Sequence, residues 1–186
     1  MASTTTASGT HAGVHDLVLN GLEAVHAATQ AGAESADAIL SEATHPKLRE
    51  ELQRGTGIAN TWRQRIEAAQ AQVGGQSSSS GDEGVVGKMA SAAERLVGAS
   101  DNHIIDAIYK TGKETSKRAK DDTSRDLGII ATGQLALHYY IAAFGTLASY
   151  LQALGKNDVA AQMKQCSEEA KAEDERHTAL TRDLLG

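Results

Sequence analysis

The stretch Leu127-Gly-Ile-Ile-Ala-Thr-Gly-Gln-Leu-Ala-Leu137-His138-Tyr-Tyr140-Ile-Ala-Ala-Phe144-Gly-Thr146 decides the fold class. Its seam, Ile130, Gln134, Leu137, Ile141, Phe144, Ala148 and Leu151, alternates spacings of three and four. That is one face of an α-helix and not the period of two that a strand would show. No proline interrupts it, so the spacing predicts a helix from about Ser124 to Leu154.

The same pattern recurs three times. A first helix is predicted from Val14 to Ala43, with Val18, Leu22, Val25, Thr29, Gly32, Ala36, Ile39 and Ala43 on its seam. Pro46 opens a second at the N1 position, where its missing N–H costs nothing; its seam is Leu48, Leu52, Gly55, Ala59, Trp62, Ile66, Ala69 and Val73. The last runs from about Asp158 to Leu185 through Val159, Met163, Cys166, Ala170, Glu173, His177, Leu180 and Leu184. Seams of this kind pack against neighbours crossing at roughly 20°, so an all-α, antiparallel four-helix bundle is expected.

Composition agrees. Apolar residues make up 40% but aromatics only 3%, and alanine, the best helix former, supplies much of the rest. The chain of 186 residues suits one domain over 14–186, behind a Ser/Thr-rich tail at 1–13 that has no apolar run and is expected to be disordered. Gly74 to Asp82 reads as a flexible loop, and Gly155-Lys156-Asn157-Asp158 as a tight turn with Asn157 or Asp158 as N-cap. Between the second and third long helices, Gly84–Val97 and Asn102–Tyr109 read as short helices. A basic stretch follows, from Lys110 through Lys113, Lys117, Arg118 and Lys120, and reads as a solvated face or linker.

A net charge of −6 disfavours nucleic acid or an anionic membrane as partner, and no stretch was expected to approach a membrane span. One cysteine, Cys166, allows no internal disulfide and fits a cytoplasmic protein.

Bundles host di-iron or di-manganese centres built from inward carboxylates and histidines, with about four carboxylates per site. The seams here offer one carboxylate, Glu173, together with His177, while His138 stands one position off its stripe. His138, Glu169, Glu173 and His177 are the candidates for a rebuilt metal site; a hydrogen-bonded Glu–His pair is the simpler reading. Tyr139, Tyr140 and Tyr150 read as packing tyrosines, and Trp62 and Cys166 as core.

The 127–146 stretch, with His15-Asp16-Leu17, Ala43-Thr44-His45-Pro46-Lys47-Leu48, Gly87-Lys88-Met89 and Glu169–Leu180, resembles the ferritin-like bacterial family typified by the stress-associated YciF and YciE, with residues 102–120 falling outside its pattern. The resemblance implies a ferritin-like bundle, a homodimer and a di-metal site. At that site's positions this chain carries Thr29, Ile58, Trp62, Leu137, Tyr140 and Ala170, which implies that the centre has been dismantled. The leading expectation is therefore a non-catalytic protein, with no catalytic residue and no cofactor, that acts by association in stress physiology. The alternatives are an iron or manganese protein with a rebuilt site, and a binder of a small or apolar ligand in a core opened by Gly32 and Gly55.

Overall fold

The structure, a computed structural model, describes residues 5–74 and 103–186, with side chains from Ala12 onward. Five helices appear among the described residues: α1 (Thr5–Leu40), α2 (Pro46–Gly74), α3 (His103–Lys117), α4 (Asp122–Ala153) and α5 (Asn157–Leu185). The hairpins α1–α2 and α4–α5 pack on each other, α1 against α4 and α2 against α5, to make a four-helix bundle; α3 lies against α4 and α1.

The seams are inside as their spacing requires. Val18, Leu22, Val25, Ile66, Val73, Phe144, Leu151, Met163 and Cys166 are almost fully removed from solvent. Trp62 packs at the centre, its ring centroid 5.3 Å from that of Tyr140 and 5.4 Å from that of Phe144.

Helix boundaries differ from the sequence reading in physically informative ways. The first helix starts at Thr5, in the segment expected as a disordered tail through Gly13, and stops at Leu40 instead of Ala43. Once the packed turns around Val18 have nucleated a helix, each further residue adds a hydrogen bond at little entropic cost. The fourth helix begins at Asp122, and Asp121 caps it by accepting the Ser124 N–H at 2.7 Å. At the α4–α5 turn, Gly155 adopts φ 72°, and Lys156 N–H and Gly155 N–H return to the Leu151 and Gln152 carbonyls at 2.9 and 3.0 Å. These paired bonds end the helix, and only glycine takes that φ without strain. Lys156, and neither Asn157 nor Asp158, occupies the following N-cap, with no side-chain bond.

The basic stretch is not a linker. Residues 103–117 form one helix that buries Ile105, Gly112 and Ser116 and exposes Lys110, Lys113 and Lys117. Gly112 lets it approach α4 closely, since a Cβ there would lie 2.7 Å from Thr132 Cβ. The expected loop beyond Gly74 and the short helix at 84–97 lie outside the described residues.

One cap comes from far along the chain. Asp126, buried on the second turn of α4, accepts Thr44 N–H at 2.9 Å, Thr44 Oγ1–H at 2.7 Å and His45 N–H at 2.8 Å. It thereby satisfies donors at the start of α2 that no intrahelical carbonyl can reach.

The expectation that no stretch approaches a membrane span requires correction. α4 contains an 18-residue window of mean hydropathy 1.3, long and apolar enough by composition alone. The core helix of a bundle meets the same criterion, because its apolar seam is continuous and its outer face is rich in alanine.

Candidate functional site

The positions where the resemblance places metal ligands converge at the middle of the bundle, and each has another occupation. Thr29 is buried, its hydroxyl donating to the His26 carbonyl at 2.8 Å. Ala170 and Leu137 are core. Tyr140 is buried and donates its hydroxyl to the Ala28 carbonyl at 2.6 Å. Gly32 makes the room for it: a Cβ there would stand 2.7 Å from the Tyr140 hydroxyl and 3.0 Å from that of Tyr109. Burial pushes the Tyr109 phenol up to about 12, despite its hydrogen bond with Tyr140, and pushes Tyr140 well above the ordinary value.

The two glutamates of α5 face arginines of α2. Glu169 Oε2 accepts Arg65 Nη1–H at 2.7 Å and the Trp62 indole N–H at 2.8 Å, while its Oε1 accepts from Gln165 at 2.9 Å. Partial burial alone would raise this carboxyl. The Arg65 and Trp62 hydrogen bonds, with the Arg65 charge, outweigh that and hold it below the usual range. Arg65 also reaches Cys166 Sγ at 3.7 Å, and burial nonetheless keeps the thiol raised. One turn on, Glu173 is buried and pairs with Arg54 Nη2 at 3.0 Å and, more loosely, with Arg176 Nε at 3.7 Å. Arg54 contacts Glu51 as well, forming a Glu–Arg–Glu bridge from α2 to α5.

Of the sequence candidates, the structure brings Glu173 and His177 together but through the backbone. His177 Nδ1 lies 2.9 Å from the Glu173 carbonyl, which can only accept, so Nδ1 carries the proton. Its Nε2 side sits over Gly133, where a Cβ would come within 2.9 Å. His138 stays outside, 67% exposed, with Asp174 Oδ2 at 3.5 Å. The pairing of α4 with α5 therefore does not carry His138 to Glu173; one position off the seam is enough to turn it outward. Among the described residues no three His, Cys, Asp or Glu side chains stand together as a metal donor set. The dinuclear group that the resemblance implies does not fit these residues.

Beside this network lies a cavity of about 100 Å³, bounded by Gly32, Gly55, Ile58, Trp62 and Leu137, with Tyr109, Tyr140, Glu173 and His177 on its polar side. Sequence reasoning named the two glycines and missed Arg54, Arg65 and Tyr109. The signal that could have found Arg65 was its place three residues after Trp62, on the same side of α2.

Comparison with known proteins follows the same line. Residues 97–185 match a family described as a domain of unknown function, DUF892. The match runs through 102–120, which the sequence reading had set outside the family pattern; α3 belongs to the shared region. Protein YciF of Escherichia coli (strain K12) is 33% identical over 76 residues, 41% of this chain and 46% of that protein, so the match spans less than half of that relative. Two solved structures share the fold. The E. coli stress protein YciF superposes with TM-score 0.75 at 20% identity, covering 92% of this chain and 96% of that one. YcfI from Rhodopseudomonas palustris, provisionally described as a structural protein, gives 0.72 at 24% identity, covering 89% and 92%. Residues 97–185 thus match the DUF892 family model, and the two solved structures share this helical-bundle fold.

Proposed function

We propose that this protein is a non-catalytic helical bundle that acts by association, with a second copy or a protein partner, in the stress physiology of a bacterial cytoplasm. The observation that carries this reading is the pairing of Arg65 with Glu169 and of Arg54 with Glu173. Buried carboxylates persist only when their charge is compensated. In a dinuclear bundle the metals do this; here two guanidinium groups of α2 do, and they commit the oxygens a metal would need. A catalytic role would require a nucleophile or a poised acid–base pair, and the groups at the centre are instead tied to arginine, indole or backbone. The description of the E. coli relative as a stress protein supports the physiological part. Among the described residues, Leu17, Ile104, Leu135, Tyr150 and Leu185 are exposed large apolar side chains available for association.

The test is metal analysis and sedimentation of protein purified without chelators. The reading expects substoichiometric iron and manganese, no ferroxidase activity, and a dimer weakened by Leu135→Asp. A stoichiometric dinuclear cluster seen by spectroscopy would overturn it.

The central cavity favours a second reading, the binding of a small, largely apolar ligand. A space of about 100 Å³ with one polar side admits a molecule of the size of a single aromatic ring. A ligand mass retained on the native protein, and lost from a Gly55→Leu variant, would support it over association.

A further inference from the structure

The polar side of the central cavity offers acceptors and no free donor. Among the described residues, five side chains on its wall carry an N–H or O–H, and each proton is already committed. Trp62 Nε1–H goes to Glu169 at 2.8 Å, and Thr132 Oγ1–H to the Gly128 carbonyl at 2.8 Å. Tyr140 gives its only proton to the Ala28 carbonyl at 2.6 Å, so the hydrogen bond between the two phenols is donated by Tyr109. His177 Nδ1–H goes to the Glu173 carbonyl at 2.9 Å. A phenol keeps its lone pairs when it donates, and a neutral imidazole has one bare nitrogen. Tyr109 Oη and His177 Nε2 are therefore left as acceptors.

Two carboxylates complete this side. Glu51 and Glu173 both line the cavity, while Arg54, which pairs with both, does not. Arg176 approaches Glu173 only at 3.7 Å, from a side chain 56% exposed. An ionised carboxylate offers about four lone-pair sites, so each keeps acceptor capacity beyond its arginine contacts. Opposite stand Ile58 and Leu137, with the rings of Trp62 and Tyr140 at a centroid separation of 5.3 Å.

This wall selects among ligand classes. A carboxylate or phosphate would meet lone pairs and negative charge, with no donor to receive it. A hydroxyl would satisfy one acceptor while setting its own lone pairs against the others. A primary ammonium carries three donors and no acceptor. The carboxylates compensate its charge on burial, and aromatic faces attract it further. Size limits the rest: an apolar cavity of about 150 Å³ holds benzene, so about 100 Å³ suits a body of ring size or slightly less. Building on the ligand-binding reading of this cavity, we propose that it takes a small primary amine in its ammonium form. The head lies at Glu51, Glu173, Tyr109 and His177, and a branched aliphatic tail lies toward Ile58 and Leu137.

Trp62 is the only tryptophan, so its indole N–H gives one NMR cross-peak that reports on the cavity wall. The full-length protein is titrated at neutral pH and fixed ionic strength with isobutylammonium, isobutanol and isobutyrate, which share one carbon skeleton. The expected result is a saturable shift of the indole peak with isobutylammonium and none with isobutyrate. The ammonium should bind with a Kd about tenfold below that of isobutanol, the difference between a charged and a neutral hydrogen bond. Gly55→Leu, at a position where a Cβ meets nothing within 4 Å, should remove the shift with the fold kept, which circular dichroism checks. Glu51→Gln should narrow the preference for the ammonium while leaving the alcohol's Kd in place. Isobutanol binding as tightly as the ammonium, or isobutyrate binding at all, would overturn the amine assignment and leave the ligand-binding reading standing. Silence of the indole peak with all three probes would sink both. A shift that survives Gly55→Leu would put the amine on the acidic surface and not in the cavity, which also rules the assignment out.

Discussion

Trp62 donates its indole N–H to Glu169 across 2.8 Å, tying α2 to α5, and Arg65 shares the same oxygen at 2.7 Å. The indole supplies a core face and a donor at once, as buried tryptophans usually do. This contact makes Trp62, at a position where the resemblance implies a ligand, part of a packed, charge-compensated strut.

Breaking the strut from either side has unequal effects. Arg65→Met removes the counter-charge and leaves a partly buried carboxylate, with an expected cost of roughly 1–3 kcal/mol. Trp62→Phe keeps the ring contacts with Tyr140 and Phe144 and loses one donor, so about 1 kcal/mol beyond the packing change is expected. Urea unfolding of the single and double variants measures the coupling, and additive effects would show that the two donors do not share Glu169.

The strut also sets an acid limit. The Glu169 carboxyl is held below its ordinary value of 4.5 in the folded state, so its contribution is present above that pH and is lost as pH falls through the folded value. Thermal midpoints of the wild type should drop more steeply than those of Glu169→Gln on acidification below pH 4.5. Parallel curves would mean that another carboxylate governs acid unfolding.

At alkaline pH the buried phenols act in the opposite sense. Tyr109 is raised to about 12 and Tyr140 well above its ordinary value, so the neutral forms stabilise the fold below the ordinary value of 10 and this is lost as pH rises from there through about 12. Phenolate absorbance from these two of the four tyrosines should appear together with loss of helix. Their titration in a still-folded protein would show that the pocket at Gly32 admits water.

Glycine substitutions should differ in sign. At Gly57 a Cβ meets nothing within 4 Å, so Gly57→Ala should stabilise the helix by about 0.5–1 kcal/mol. At Gly112 a Cβ would fall 2.1 Å from Thr132 Oγ1 and 2.7 Å from its Cβ. Thr132 is short and branched and cannot swing clear, so Gly112→Ala should destabilise by roughly 1–3 kcal/mol. Thermal melts of the two variants decide it.

Leu137 tests the centre directly. It is buried where the resemblance expects a carboxylate, and Leu137→Ala should cost roughly 2–5 kcal/mol, toward the lower end because the cavity beside it already lacks packing partners. Leu137→Glu should destabilise strongly and gain little from added Fe²⁺ or Mn²⁺, since one carboxylate cannot assemble a competent site. A midpoint that rises with metal would support the rebuilt-site alternative.

What the residues determined by themselves was local. Val18, Leu22 and Val25, Leu48, Leu52, Ala59, Trp62, Ile66, Ala69 and Val73, Phe144 and Leu151, and Met163, Cys166 and Ala170 are buried as their spacing requires, because helical periodicity follows from backbone geometry over a few residues. Pro46 at a helix start and Gly155 past a helix end were legible for the same reason. Tertiary structure decided everything that depends on how distant helices rotate and slide against one another. Arg65 meets Glu169 from 104 positions away, and Asp126 caps a helix 82 positions earlier. The lysine-rich segment became a helix because Gly112 fits against Thr132, and His138 turned outward while Glu173 turned in. Each of these is a question of register between surfaces, and one residue of slip or a fraction of a turn would change the partner; no spacing within a single helix carries that information.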